Sequence, residues 1–255
     1  MTRFLLVTDL DDTLVGDDAA LRQLERLLAA AKARHGSKVV YSTGRSLTLY
    51  RELATERSLM PPDALVTAVG TEIYFQTDDA VPDPAWSGRL AGGWDRQQVV
   101  AAADGFADLL AQLASEQRPF KVSYFVAPQA AAEILPALRA ALAARGQPTQ
   151  LVYSGERHLD ILPAAAGKGL AMQHLRRLWG FAASQTVACG DSGNDIALFS
   201  VGQERGIVVG NARPELLDWV RRNPAERLYL ARAHRAAGIV EGLRHFCFLD
   251  GDDDV

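Results

Sequence analysis

Four apolar residues, Phe4 to Val7, run without polar alternation straight into Thr8-Asp9-Leu10-Asp11-Asp12-Thr13. Such a run reads as a strand buried on both faces, so it demands covering layers on either side. Asp9 and Asp11 are separated by one residue and point the same way in extended backbone. Side-by-side carboxylates repel unless a cation or a proton sits between them. The plainer reading is a turn, in which Asp11-Asp12-Thr13 ends the strand and leads to a helix starting near Asp17.

The same layout recurs along the chain. Leu21, Leu24, Leu27 and Leu28 fall on one helical face, and Lys38 to Tyr41 reads as a second buried strand. That strand ends in Ser42-Thr43-Gly44, with Ser46 at the N-cap position of a helix over 47–56. Ala64 to Val69 is a third strand and Thr71 to Phe75 a short hairpin strand. Later come strands at 186–189, 206–209 and 228–230, with helices at 195–199, 214–221 and 238–245. Strands alternating with helices predict an α/β fold, a doubly wound Rossmann-like parallel sheet with helices on both faces. Ligands of such sheets sit at the carboxyl ends of the strands. Asp9, Thr43 and Asp191 each follow an apolar strand, so three strand ends point at one crevice.

The texture changes at Val81-Pro82-Asp83-Pro84 and Gly88 to Gly93, which are rich in breakers. A helix over 99–113, a strand over 120–126, a helix over 129–145 and strands near 150–153 and 158–162 follow. This reads as an α+β cap inserted at about 81–160, with a core formed by 1–80 and 161–255.

Composition removes several function classes. The net charge of −4 gives no bulk case for nucleic acid or an anionic membrane. Two cysteines make neither a disulfide framework nor a zinc cluster, and Cys189 reads as core. No stretch approaches the roughly 18 apolar residues of a membrane span, and the N-terminal apolar run is too short for a signal peptide. A cytoplasmic monomer is expected. The Asp-rich tail from Asp250 to Asp254 reads as solvated, not as a metal site.

Lys168 lies between Gly167 and Gly169, but Leu162 occupies the position where a P-loop needs glycine. Ser192 and Asp195 fit a helix capping box. Thr43-Gly44 fits a helix entry, and free N–H groups at a helix start also bind phosphate.

In order, Asp9-x-Asp11-x-Thr13, Ser42-Thr43-Gly44-Arg45-Ser46, Gly167-Lys168-Gly169 and Gly190-Asp191-Ser192-Gly193-Asn194-Asp195 resemble the four motifs of the haloacid dehalogenase superfamily of phosphotransferases. The resemblance implies that Asp9 is the nucleophile and forms an aspartyl-phosphate. Asp11 then acts as acid and base, and Lys168 neutralises nucleophile and phosphate. Thr43 belongs to the catalytic set, and Thr43, Gly44, Arg45 and Asn194 contact substrate. The implied cofactor is Mg²⁺, held by Asp9, the Asp11 carbonyl and Asp191, with Asp195 beside them.

Longer segments resemble the sucrose-phosphatase family, among them Val69-Gly70-Thr71-Glu72-Ile73-Tyr74, Pro119-Phe120-Lys121-Val122-Ser123-Tyr124, Asp160-Ile161-Leu162-Pro163 and Val209-Gly210-Asn211-Ala212. The likeness covers nearly the whole chain. It implies a phosphatase of sucrose-6-phosphate with a mobile cap, of the short bacterial or cyanobacterial type. Lys121, Ser123, Tyr124 and Glu156 are the expected sugar contacts, Lys121 and Ser123 sharing one strand face. Glu156, Arg157 and His158 add polar candidates near the cap's return to the core, and His158 reads as structural or partly exposed rather than catalytic. Mannosylfructose-phosphate phosphatase differs only in the sugar held, a sugar phosphomutase can share core and cap, and a non-catalytic partner would keep the fold alone. An inert relic should have lost one of Asp9, Asp11, Lys168 or Asp191, and none is lost. Docking on the glycosyltransferase that makes the substrate stays open beside catalysis.

Overall fold

The structure is a computed structural model that describes residues 2–249; the Asp250–Asp254 tail lies outside them. The first half of the large sheet comprises β1 (Leu5–Thr8), α1 (Asp18–His35), β2 (Lys38–Ser42), α2 (Leu47–Arg57), β3 (Ala64–Thr67) and β4 (Glu72–Tyr74). Next come α3 (Pro84–Ala91), α4 (Arg96–Ala103), β5 (Leu110–Ala111), β6 (Val122–Phe125), α5 (Pro128–Ala144), β7 (Thr149–Ser154) and β8 (His158–Pro163). The chain then returns through α6 (Lys168–Leu178), β9 (Thr186–Gly190), α7 (Ile196–Ser200), β10 (Arg205–Val208), α8 (Pro214–Arg222), β11 (Leu228–Leu230) and α9 (Arg235–His245).

The large sheet has seven strands in the order β11-β10-β9-β1-β2-β3-β4. Neighbours pair in parallel except β4, which runs antiparallel to β3. β1 is central because the chain leaves it toward β2 on one side and comes back to β9 on the other. The loops after β1, β2 and β9 therefore meet where the strand order reverses, the place where open α/β sheets bind ligands.

Period-two alternation explains why β1 is apolar throughout. Leu6 faces a cluster with Leu24 and Leu28 of α1, Tyr50 of α2 and Leu243 of α9. Leu5 and Val7 face the opposite cluster, with Trp86 of α3, Met172 of α6, Phe199 of α7 and Leu216 of α8. α1 starts where Asp17 accepts a hydrogen bond from the Ala20 N–H and stops at Gly36, whose φ of 68° suits glycine.

The second sheet is antiparallel with order β5-β6-β8-β7. One face packs Val122, Tyr124, Leu159 and Ile161 against Val99 of α4 and Leu138 and Leu142 of α5. The register sets Ser123 opposite Asp160 and Phe125 opposite His158. Those four residues occupy the other face, which looks toward the end of β1. Among the described residues no helix is long and apolar enough to cross a membrane.

Two local expectations need correction. The helix read over 99–113 ends at Ala103, and Gly105 follows; Leu110 and Ala111 pair with β6 instead. The breaker-rich stretch at 81–93 contains α3: Asp83 accepts from the Trp86 N–H and Pro84 occupies the first turn, where a proline has no bond to lose. Trp86 is fully buried among the large-sheet residues, and Leu90 with it. The elements built on the smaller sheet thus run over 96–163.

Trp86 closes this packing and donates from Nε1 to the Gly70 carbonyl at 3.2 Å. Trp86→Ala is expected to cost about 3–5 kcal/mol, read from urea unfolding midpoints. A loss below about 1 kcal/mol would mean that α3 is not anchored there.

Candidate active site

Asp9 extends β1 by one residue, its N–H donating to the Cys189 carbonyl at 3.0 Å. Its side chain is buried, as are those of Asp191 and Asp195. One carboxylate oxygen from each of the three lies within 4.8 Å of the others. Lys168, fully buried at the start of α6, answers them. Its Nζ donates to Asp9 Oδ1 at 2.7 Å, Asp195 Oδ1 at 2.7 Å and Asn194 Oδ1 at 2.9 Å. Three acceptors saturate an ammonium.

Asp195 uses its second oxygen as well: Oδ2 accepts from the N–H groups of Asp191 at 3.0 Å and Ser192 at 3.1 Å. It therefore fills the helix-cap role and the charge role together. Asp191 Oδ1 accepts from the Thr13 hydroxyl at 3.0 Å, while Arg213 Nε stands 3.8 Å from its Oδ2. Asp11 is half-exposed and gripped by the Arg45 fork, Nε to Oδ2 at 2.8 Å and Nη2 to Oδ1 at 2.7 Å. Such a bidentate pair fixes orientation as well as charge.

A cavity of about 490 Å³ opens from these groups toward the smaller sheet. Asp9, Asp11, Gly44, Arg45, Asp191 and Asn194 form its large-sheet wall. Gln112, Glu116, Lys121, His158 and Asp160 form the other wall, with Leu49, Val69, Leu113 and Phe125 between. Lys121 is almost wholly buried, with Glu116 Oε2 and Asp160 Oδ1 each 3.3 Å away. The Ser123 hydroxyl donates to Asp160 Oδ1 at 2.6 Å.

Not every expected residue faces this cavity. Thr43 is buried behind Gly44, its Oγ1 accepting from the Arg45 N–H at 3.1 Å. Ser123 lies behind Lys121 and Asp160. Tyr124, one residue out of phase with Lys121 and Ser123, points into the α4–α5 side of the smaller sheet. Glu156 sits at positive φ in the β7–β8 turn and borders a separate cleft with Arg213 and Asp218. Conversely, Asp160 faces the cavity, as does the polar candidate His158, because β8 alternates in register with β6. Their signal was the spacing from Ser123, which only the strand pairing reveals. Gln112 and Glu116 lie between elements, and no periodicity marks them.

Burial raises the pKa of Asp9 well above the ordinary carboxylate value; the Lys168 ammonium opposes that, and the charges of Asp195 and Asp191 add to it. Burial disfavours a charged Lys168, but Asp195 and Asp9 outweigh burial and hold its pKa above the ordinary lysine value. Asp191 is pushed up to about 7, by burial first and by Asp195 second. Three carboxylates against one buried ammonium, with only the half-exposed Arg213 guanidinium beside Asp191, leave a deficit of positive charge when all are ionised. Hard carboxylate oxygens with that deficit fit a divalent cation. Binding such an ion must expel the Asp191 proton below about pH 7. Affinity should therefore rise as pH rises through about 7. Calorimetric titration of the metal-free protein with Mg²⁺ is expected to give roughly tenfold weaker binding at pH 6 than at pH 8. Equal affinities at both would contradict the raised pKa.

A family model described as Sucrose-6F-phosphate phosphohydrolase matches residues 2–247. Sucrose-phosphatase 2 of Nicotiana tabacum is 40% identical over 253 residues, covering 95% of this chain and 59% of that protein. The chain thus spans about three fifths of the length of such curated plant relatives. Mannosylfructose-phosphate phosphatase of Agrobacterium fabrum is 34% identical, covering 95% of this chain and 96% of that one. The solved sucrose-phosphatase of Synechocystis sp. PCC6803, in complex with sucrose and phosphate, superposes with a TM-score of 0.90 at 40% identity, over 97% of this chain and 99% of that one.

Proposed function

The chain belongs to the Sucrose-6F-phosphate phosphohydrolase family, and from that membership we propose that it hydrolyses sucrose-6-phosphate to sucrose and phosphate. The observation that carries the reading is a single cavity with a Lys168-paired Asp9 on one wall and a polar Lys121–Glu116–Asp160 group on the other.

Phosphate monoesters need up to ~10²¹-fold acceleration, roughly 28 kcal/mol. General acid–base help supplies about 10²–10⁴-fold and one placed charge-stabilising donor about 3–4 kcal/mol, so several devices must converge. Asp9 attacks phosphorus and forms a phosphoryl–aspartate bond as the bond to the sugar oxygen breaks. Asp11 gives its proton to that oxygen. Asp11, now a carboxylate, takes a proton from water, whose oxygen attacks phosphorus and breaks the bond to Asp9. Lys168 lowers the repulsion between Asp9 and the incoming phosphate. The Arg45 fork matches Asp11 as a carboxylate, the form the second step requires. For the first step Arg45 must yield, and phosphate oxygens arriving beside Gly44 give the guanidinium a replacement partner. We assign Mg²⁺ as the divalent ion that Asp9, Asp191 and the Asp11 carbonyl would hold, where it would supply positive charge for the phosphoryl oxygens.

The unit over 96–163 acts as the cap that selects the sugar. Glu116, Lys121 and Asp160 fix one another, so they present hydrogen-bonding groups to sugar hydroxyls with little ordering cost. The Synechocystis relative's bound sucrose supports the disaccharide reading. The Agrobacterium relative, matched over 96% of its length, supports a second reading with mannosylfructose phosphate as substrate.

Phosphate release from sucrose-6-phosphate, mannosylfructose phosphate, glucose-6-phosphate, fructose-6-phosphate and an aryl phosphate separates these readings. Preference for sucrose-6-phosphate is expected; activity on the aryl phosphate alone would refute the cap's role. Asp9→Asn should lower kcat by roughly 10⁴-fold or more with an unchanged circular dichroism spectrum, and near-normal turnover would remove Asp9 as nucleophile. Lys121→Ala should raise KM for the sugar phosphate while sparing aryl phosphate hydrolysis. Equal losses on both substrates would take Lys121 out of the sugar site.

A further inference from the structure

The smaller-sheet unit joins the large sheet through two chain crossings, near 92–95 and 164–166. Among the described residues one ion pair bridges the two units: Arg118 Nε to Glu72 Oε1 at 2.6 Å. Glu72 lies on β4, almost fully buried, which is unusual for a carboxylate without a structural or functional reason. Its Oε2 accepts from the Thr67 hydroxyl at 2.9 Å and the Tyr74 hydroxyl at 3.0 Å. Thr67 and Tyr74 belong to β3 and β4, so the large sheet itself holds Glu72 in place and aims its remaining oxygen at the other unit.

Arg118 is not an isolated surface charge. It and Lys121 exchange backbone hydrogen bonds, Arg118 N to Lys121 O at 2.9 Å and Lys121 N to Arg118 O at 3.2 Å. Pro119 and Phe120 form the tip between them. Phe120 packs against the large-sheet cluster that holds Val69 and Trp86. The Pro119 carbonyl accepts from Trp94 Nε1 at 2.8 Å and the Arg118 carbonyl from Arg96 Nε at 3.2 Å. The turn is therefore a plug tied to its own unit through Arg96 and to the 92–95 crossing through Trp94, and seated against the large-sheet cluster. Lys121, which lines the cavity, is the next residue after the plug.

We infer that the Glu72–Arg118 pair is a clasp that seats the cap over the Asp9 site and thereby positions Lys121 for the sugar. Arg118 is a positioning residue: it reaches the substrate only through the turn it shares with Lys121. The assignment of Lys121 to the sugar rests on the function proposed above; the clasp itself rests on the contacts between the two sheets. A guanidinium on a buried carboxylate suits this role because it stays charged and is more weakly hydrated than an ammonium.

The test compares Arg118→Met, Arg118→Lys and Glu72→Gln with the parent protein. Arg118→Met keeps the packed stem and loses the charge. It should raise KM for sucrose-6-phosphate about tenfold or more while kcat/KM for an aryl phosphate stays within about twofold. Arg118→Lys should recover a large part of that loss. Hydrogen–deuterium exchange should quicken at 92–95 and 164–166 in Arg118→Met and in Glu72→Gln, with unchanged exchange in β1 and β9. Unchanged exchange at both crossings overturns the clasp. So does an equal loss on both substrates with no recovery in Arg118→Lys. If the parent protein leaves sucrose-6-phosphate untouched, the proposed substrate fails, and the exchange measurement alone still decides the clasp. Should Arg118→Met fold poorly, Glu72→Gln, which keeps its shape and two hydroxyl donors, decides the clasp by the same exchange readout.

Discussion

A fully buried ammonium holds this site together. Lys168 would be costly to bury alone, since an unpaired charge in the interior loses its hydration without return. Asp9 and Asp195, each 2.7 Å from Nζ, supply that return, and Lys168 in turn lets two carboxylates stand close together. Removing Lys168 would leave both carboxylates as uncompensated buried charge. The pair of glycines around Lys168 makes the approach feasible. Gly167 takes a φ of 116°, and a Cβ on Gly169 would come within 2.0 Å of the Ala197 carbonyl oxygen. The start of α6 can thus lie against α7, and the ammonium reaches the end of β1.

The two sheets divide the chemistry. The large sheet offers charge at strand ends that cannot drift, because β1, β2 and β9 are locked in parallel register. The smaller sheet offers Lys121, Glu116 and Asp160, which fix one another and face the same cavity. On the function proposed here, phosphate and sugar are read by separate walls, so a sugar preference can change without disturbing Asp9, Lys168 or Asp191.

The α/β alternation and the charged ends of β1 and β9 were legible because each is a local pattern: an apolar run, then a fixed spacing of Asp, Gly or Lys. The cap wall was less so. Parity alone separates Lys121 and Ser123 from Tyr124, and that separation was available from the strand's period of two. Asp160 and His158 needed the pairing of β6 with β8, which links residues far apart in sequence. The turn around Arg118 carries no periodic signal, and Glu72 reads as an ordinary strand residue until Thr67, Tyr74 and Arg118 are seen around it. Asp83-Pro84 was a genuine helix start that the neighbouring glycines obscured. Family resemblance gave the acid–base and nucleophile roles; physical pattern gave only their convergence.

The proposed chemistry stands or falls on whether the Lys168-paired Asp9 carries the phosphoryl group. Rapid acid quench of one turnover with a radiolabelled sugar phosphate, followed by peptide mapping, tests this directly. Label that appears on the peptide containing Asp9 as sugar is released, and leaves as phosphate forms, is the expected result. Label on another residue, or phosphate formed in one turnover with none passing through protein, would contradict it.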